Sequence, residues 1–339
     1  MIGRCSLHNV GHGGFYSETH FAPNEVITVV YDCGSSNLSA ISKAVSEFSN
    51  HHDKIDFLII SHFHNDHING VEILLDQGKL EIKRLIMPEI SVTEKIHYLT
   101  NDLHQNKLSD FTQDLISNPV RAVGDNIGVT LISNETARNA EINTPILSIR
   151  GTSQSDFTHN SIFSFPLFHN QASHLKFYVD KVKYGFLDST DLSEIQAFSV
   201  DDIRSALKLK SIKKIYSKIP GNFNHTSMAM LSMGNYCDVY NIGILLTGDM
   251  FLNTEAQIKN LCSHYSAEAN QINHFIVPHH GSGKNMLRAI TEFPIKAAYI
   301  QERESSRKLI KQVAKKHTKE GIDVFHVSEQ RWTQLVHHF

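Results

Sequence analysis

Apolar runs and amphipathic stretches alternate along the chain, and they predict a mixture of strands and helices. Residues 2–34 read as two strands joined by a turn, with the second built on the apolar run 26–30. Residues 35–49 carry Leu38, Ile41, Val45 and Phe48 on one helical face, with Ser35, Ser36 or Asn37 placed to cap the helix. Residues 55–60 are a continuous apolar run and read as a buried strand. Val71, Leu74 and Leu75 then open a helical pattern that lasts to about Asp76, and residues 84–87 form the next strand. Residues 93–117 predict a long helix with Ile96, Leu99, Leu103, Leu108, Phe111 and Leu115 as its stripe, stopped by Pro119. That stripe reads as a core face, with a homodimer face as the alternative.

The second half is less regular. Strand-like runs fall at residues 129–132, 146–149, 162–168, 175–179 and 184–187, and a helix is predicted over 192–209. This section reads as a continuation of the first sheet plus an insertion that forms a lid or an oligomer contact. Residues 228–232, 242–246, 275–277, 297–300 and 324–327 predict the closing strands, with a lysine-rich helix over 307–319.

The densest chemistry lies at Ser61-His62-Phe63-His64-Asn65-Asp66-His67-Ile68-Asn69-Gly70, between the 55–60 strand and the following helix. His62 and His64 stand two apart, so on an extended loop they face the same way and can share one metal. Asp66 and His67 follow at once and can turn toward a second. Imidazole and carboxylate donors suit zinc, and also manganese or iron.

The order H-x-H-x-D-H after an apolar strand resembles the metallo-β-lactamase superfamily. Tyr31-Asp32-Cys33-Gly34 resembles that family's early strand ending in Asp-x-Gly, and Leu245-Leu246-Thr247-Gly248-Asp249 its strand ending in a metal-bridging aspartate. Val277-Pro278-His279-His280-Gly281-Ser282 resembles the late strand whose histidine closes the second metal site. Finer features are similar to the hydrolase domain of the ComEC/Rec2 competence proteins. These are Asn9-Val10-Gly11-His12-Gly13-Gly14, Asn224-His225-Thr226-Ser227 and His279-His280-Gly281-Ser282. His12 stands where that branch has Gln and Gly14 where it has Asp, and a late histidine-proline motif expected near 301–306 is missing. The resemblance covers about residues 1–90 and 220–339.

The resemblance implies an αββα sandwich, two mixed β-sheets flanked by helices, as a single domain over residues 1–339 with an insertion within about 93–220. It implies two divalent metal ions, zinc first with manganese or iron as alternatives. His62 and His64 would hold one metal, Asp66, His67 and His280 the other, and Asp249 would bridge them. His225 is the residue expected to complete the first site, with His159 and His169 in reserve. Asp66 and Asp249 would be the catalytic carboxylates, Asp66 orienting a hydroxide held between the metals. His279, Ser282, Lys284 and His12 would face the substrate. Gly281-Ser282-Gly283-Lys284 lacks the form of a nucleotide-triphosphate loop, because Asn285 follows the lysine. Asp188-Ser189-Thr190-Asp191 lacks the glycine and the H-H-G follow-on of a second metal site.

Composition trims the list. A net charge of −3 over 339 residues makes the whole chain no polycation, so any nucleic-acid contact needs a local patch. Lys208, Lys210, Lys213, Lys214 and Lys218 form one basic run, and Lys308, Lys311, Lys315 and Lys319 recur at helical spacing in another. The cysteines, Cys5, Cys33, Cys237 and Cys262, form no C-x-x-C pair and fit reduced thiols in a cytoplasmic protein. No signal-peptide pattern and no long apolar run appears, so no membrane insertion is expected. Three functions are expected from this sequence. The first is hydrolysis of a phosphodiester in DNA, RNA or a nucleotide. The second keeps the metal site but acts on a lactone, thioester or amide-type carbonyl. The third is a component of a bacterial defence or stress system acting with a partner protein.

Overall fold

The structure is a computed structural model that describes residues 3–21, 25–76, 80–89, 109–132, 144–145, 162–166, 172–179, 224, 227–235, 241–306 and 311–338. Its strands alternate their side chains between two environments, and that alternation builds the layers. In β3 (Val26–Cys33), Ile27, Val29 and Tyr31 enter a cluster between the sheets, while Val30 packs outward against helices. In β13 (Asn241–Leu246), Ile244 and Leu246 point inward and Leu245 outward; in β15 (Ala297–Gln301), Ala297 and Tyr299 point inward and Ala298 and Ile300 outward. Both faces of these strands are buried, which is why they read in the sequence as unbroken apolar runs.

The first sheet has seven strands in the order β17-β1-β2-β3-β5-β7-β8. They are β1 (Gly3–Leu7), β2 (Phe15–Phe21), β3, β5 (Phe57–Ile59), β7 (Arg84–Pro88), β8 (Gly128–Ile132) and β17 (Leu335–His338). The second sheet has eight, in the order β16-β15-β14-β13-β12-β11-β10-β9. They are β9 (Thr144–Pro145), β10 (Ile162–Pro166), β11 (Ala172–Val179), β12 (Met228–Asn235), β13, β14 (Ile272–Ile276), β15 and β16 (Asp323–Val327). The first sheet is antiparallel from β17 to β3 and parallel from β3 to β8; the second is parallel from β16 to β13 and antiparallel from β13 to β10, with the short β9 parallel to β10. A short ribbon of β4 (Lys54–Ile55) and β6 (Glu81–Ile82) stands apart. Helices α1 (Leu38–Ser49) and α2 (Asn65–Asp76) and helix Asp110–Ser117 cover the outer face of the first sheet. Helices Glu255–His264 and Lys311–Lys319 cover the second. The αββα sandwich expected from the resemblance is therefore observed.

Several expectations change. The first 34 residues hold three strands rather than two, because residues 8–14 form a loop between β1 and β2. Helix α1 starts at Leu38 with Asn37 as its cap, and Leu38 itself is 65% exposed; Ile41, Ala44, Val45 and Phe48 form the buried face. Residues 54–59 split into two strands, and Asp66 and His67 sit in the first turn of α2 rather than on the loop before it. Of the long predicted helix, only Asp110–Ser117 lies among the described residues, where Leu115 is buried and Phe111 packs half-buried. The middle section does not simply extend the first sheet: β8 does, but β9, β10 and β11 extend the second. The strands expected at 146–149 and 184–187, the helix at 192–209, the basic run 208–218, Lys308, Cys237, His159, His169, Asp188 and Asp191 lie outside the described residues. Helix Glu255–His264, strand β17 and strand β6 had no counterpart in the sequence reading.

Burial of His8 is expected to make the fold sensitive to acid. His8 is enclosed against Phe15, with ring centres 4.0 Å apart, and its Nε2 lies 2.8 Å from Ser17 Oγ. Burial, with His52 and Arg4 nearby, pushes its pKa down to about 3 from 6.5. The unfolded chain takes up the proton first, so the stability contributed by neutral His8 is complete above about pH 6.5 and is lost as the pH drops toward 3. The urea midpoint is expected to fall between pH 7 and pH 4.5, and a His8→Gln variant should lose part of that slope, by about one proton. Identical slopes in the two proteins would remove His8 from the account.

Candidate metal centre

The site forms where the strand ends of the two sheets meet. The loop after β5 supplies His62 and His64, and the first turn of α2 supplies Asp66 and His67. The turn after β13 supplies Asp249, and the turn after β14 supplies His279 and His280. His279 and His280 both have positive φ, 49° and 53°, a region unusual for non-glycine residues. This backbone bend turns the chain sharply at the end of a parallel strand.

Asp249 lies at the centre and is 2% exposed. Its Oδ2 is 3.6 Å from His62 Nε2 and 3.8 Å from His64 Nδ1, and those two nitrogens are 2.9 Å apart. Its Oδ1 is 3.1 Å from His67 Nε2 and 3.7 Å from His280 Nε2, and those nitrogens are 3.3 Å apart. His280 Nε2 is also 3.3 Å from Asp66 Oδ2. Two sets of donors, His62-His64-Asp249 and His67-Asp249-His280, thus share one carboxylate, each set having its donor atoms within 4.8 Å of one another. Asp249 Oδ1 is buried and makes no hydrogen bond. Buried acceptors are ordinarily satisfied. Nitrogens and oxygens converging around such an oxygen fit the needs of divalent cations.

Charge in this cluster is mutually held. Burial opposes ionisation of Asp249, but His67, His280 and His62 outweigh it and hold the carboxyl well below its usual range. Burial likewise opposes Asp66, and the contacts with His280 and His67 carry it below its usual range. Burial disfavours charge on His67 too, yet Asp249 and Asp32 raise its pKa well above the ordinary value. His62 goes the other way, down to about 4, through burial and the neighbouring His67.

Behind the donors stands Asp32, which the sequence reading noted only as part of a motif. Its Oδ1 accepts from the Ser61 backbone N–H at 2.7 Å, and its Oδ2 accepts from the Ser61 hydroxyl at 2.7 Å. Ser61 Oγ in turn lies 2.9 Å from His62 Nδ1, and Asp32 Oδ2 lies 2.8 Å from His67 Nδ1. Both imidazoles therefore present Nε2 toward Asp249. The close approach is possible because Gly34 has no side chain: a Cβ there would sit 2.5 Å from the His67 carbonyl carbon. Gly14 is equally tight, since a Cβ would lie 2.8 Å from His67 Nδ1.

Other residues expected at the site are placed as follows. His12 reaches it, with Nε2 3.4 Å from Asp66 Oδ2. His279 Nε2 lies 3.7 Å from Asp249 Oδ2, and the Asn224 side-chain amide holds its Nδ1 at 3.0 Å. Ser282 follows in the same turn, donating its backbone N–H to the His279 carbonyl at 2.8 Å. Lys284 is exposed, and its carbonyl accepts from Asn253 Nδ2 at 3.2 Å. His225 lies outside the described residues. Four supporting residues had no role assigned from the sequence: Ser61 and Asn224, noted only within motifs, Asn285, noted only after Lys284, and Glu302, not noted at all. Asn285 Nδ2 donates to the Asp249 carbonyl at 3.3 Å, and Glu302 holds His12 Nδ1 at 3.0 Å. Ser61, directly before the H-x-H run, carried the clearest available signal.

The chain is similar to the following known proteins. The family model described as anti-Pycsar protein Apyc1 matches residues 5–160. That span carries His12, Asp32 and the cluster from His62 to His67, but not Asp249 or His280, and it is less than half of the 339 residues. No curated protein matches the chain. Among solved structures, the metallo-β-lactamase fold protein YhfI from Bacillus subtilis is similar at a TM-score of 0.47 and 10% identity, over 99% of each chain. Zn(2+)-bound PqqB from Methylobacterium extorquens is similar at 0.46 and 9% identity, over 99% of this chain and 100% of that one. A diphosphatase from the PhnP family is similar at 0.40 and 12% identity, over 98% and 97%. At these values the αββα assignment rests on this chain's own sheet order and layers.

Asp32 gives the site its test. Asp32→Asn removes the acceptor shared by Ser61 and His67 while keeping size. Divalent-metal affinity, measured by chelator competition, is expected to fall about 10–100-fold. Unchanged affinity would mean that Asp32 does not orient the histidines.

Proposed function

We propose that the protein is a dinuclear metal-dependent hydrolase that cleaves a phosphodiester in a nucleic acid or nucleotide. The observation that carries the metal part is the single carboxylate of Asp249 facing one donor set with each oxygen. The substrate class is supported by the ComEC-like segments around His12, Asn224 and His279-His280-Gly281-Ser282. Exposed Arg303 agrees with it. Its guanidinium Nη2 donates to Ser36 Oγ at 2.7 Å, and the Ser36 backbone N–H in turn donates to the His12 carbonyl at 2.8 Å, which puts a cation at the rim.

His62, His64 and Asp249 would hold one ion, and Asp66, His67, Asp249 and His280 the other. Such a pair supplies Lewis acidity for a phosphoryl oxygen and a water acidic enough to attack at neutral pH. Asp66 would orient the attacking water; its Oδ2 lies 3.3 Å from His280 Nε2 and its side chain is 20% exposed, which supports this role. His279, 31% exposed and held by Asn224, is placed to donate or accept a hydrogen bond at the phosphate. His67, His280 and Asp249 are buried, and Asp66 is the member of the second set that opens toward solvent.

A second reading concerns biological setting. The match of residues 5–160 to anti-Pycsar protein Apyc1 favours a role in a contest involving a bacterial defence system, with the hydrolase acting on a component of that system or beside a partner protein. It is compatible with the same chemistry. Among the described residues no helix is long and apolar enough to cross a membrane.

The test uses bis-p-nitrophenyl phosphate, single- and double-stranded DNA, RNA and nucleotides, beside a lactone and a thioester. Phosphodiester cleavage is expected, with Asp66→Ala lowering kcat by about 100-fold or more and His279→Ala costing clearly less. Turnover of the carbonyl substrates alone would replace the phosphodiester reading with a carbonyl hydrolase. Equal, mild losses in both variants would overturn the roles given to Asp66 and His279.

A further inference from the structure

His12 is held in a way that a mere rim residue does not require. Its Nδ1 lies 3.0 and 3.1 Å from the two carboxylate oxygens of Glu302, a residue only 7% exposed. Its Nε2 lies 3.4 Å from Asp66 Oδ2, and the donor atoms of His12, Asp66 and His280 all fall within 4.8 Å of one another. The His12 and His280 rings are neighbours, with centres 4.0 Å apart. The loop is anchored as well: the Ser36 backbone N–H donates to the His12 carbonyl, and the Glu302 N–H donates to the Val327 carbonyl.

An imidazole between two carboxylates poses a pairing problem. Nδ1 is turned to Glu302, and Nε2 faces the Asp66 carboxylate oxygen at 3.4 Å, a gap that a shared cation would bridge. Two donors bound at about 2.1 Å to one tetrahedral ion lie roughly 3.4 Å apart, so the separation of His12 and Asp66 suits a shared metal. A carboxylate behind the far nitrogen is also how proteins fix the tautomer of a ligating histidine.

We infer that His12 is a metal ligand at the second site beside Asp66 and His280, with Glu302 as its positioning residue. The inference rests on the two-metal reading and extends it.

The test is binding, not turnover. The full chain is stripped with a chelator, dialysed and titrated calorimetrically with Mn2+, and metal content is then measured per chain. Two variants are compared with wild type. His12→Asn keeps a group near Nδ1 for Glu302 but cannot reach Asp66, and His12→Phe keeps the ring without donors. Thermal melts of the metal-free proteins establish that each variant is folded. Wild type is expected to bind two ions, and each folded variant to keep one at wild-type affinity while binding the other at least about tenfold more weakly. Two ions bound with wild-type affinities in the folded variants would overturn the role of His12 while leaving the two-metal reading intact. Fewer than two ions on wild type would overturn that reading and this inference with it.

Discussion

Asp32 is the constraint on which the site depends. It is a buried carboxylate, 1% exposed, on a residue with φ of 56°, and it receives the Ser61 backbone N–H, the Ser61 hydroxyl and the His67 ring. Burying such a group without partners would be costly. Its partners are the residue that begins the histidine run and one of the histidines in it. Satisfying Asp32 therefore fixes the start of the metal loop, the first turn of α2 and two ring orientations together. The glycines at 14 and 34 have their place in the same economy of space, since side chains there would occupy the positions of His67 and its backbone.

The rest of the sandwich brings the second half of the site to that framework. Strands β13 and β14 run parallel and end at the same edge, so Asp249 and the pair His279-His280 arrive together. The inter-sheet cluster joins them to β3 and β5 through Tyr31, Ile59, Met228 and Leu246, and the Tyr31 hydroxyl donates to the Met228 carbonyl at 2.6 Å. Ser227 Oγ accepts from the Asp249 backbone N–H at 2.9 Å and so fixes the turn that carries the shared carboxylate. Packing between layers thus sets the distances between donors that lie almost 190 residues apart in the chain.

Much of this was legible in the sequence, for identifiable reasons. Strands buried on both faces leave continuous apolar runs, and ligands that must converge on one ion leave a dense local cluster, so β3, β5, β13 and the 62–67 run were readable directly. Exposed helix ends and short strands leave weaker patterns. That is why Leu38 was assigned to a buried face and why β6 and β17 went unread. Supporting residues such as Asn224 and Glu302 are polar side chains of ordinary type, and only the fold brings them to His279 and His12. The section around 133–223 offered mixed signals, and the strands described there join the second sheet rather than the first.

The central claim is that Asp249 serves two cations at once. Its most direct test is metal content per chain by elemental analysis of wild type and of folded Asp249→Ala, both loaded with the same divalent metal and freed of excess. The account predicts two ions in wild type and retention of neither at that stoichiometry in the variant, because one carboxylate is removed from both donor sets. Two ions retained by Asp249→Ala would contradict it.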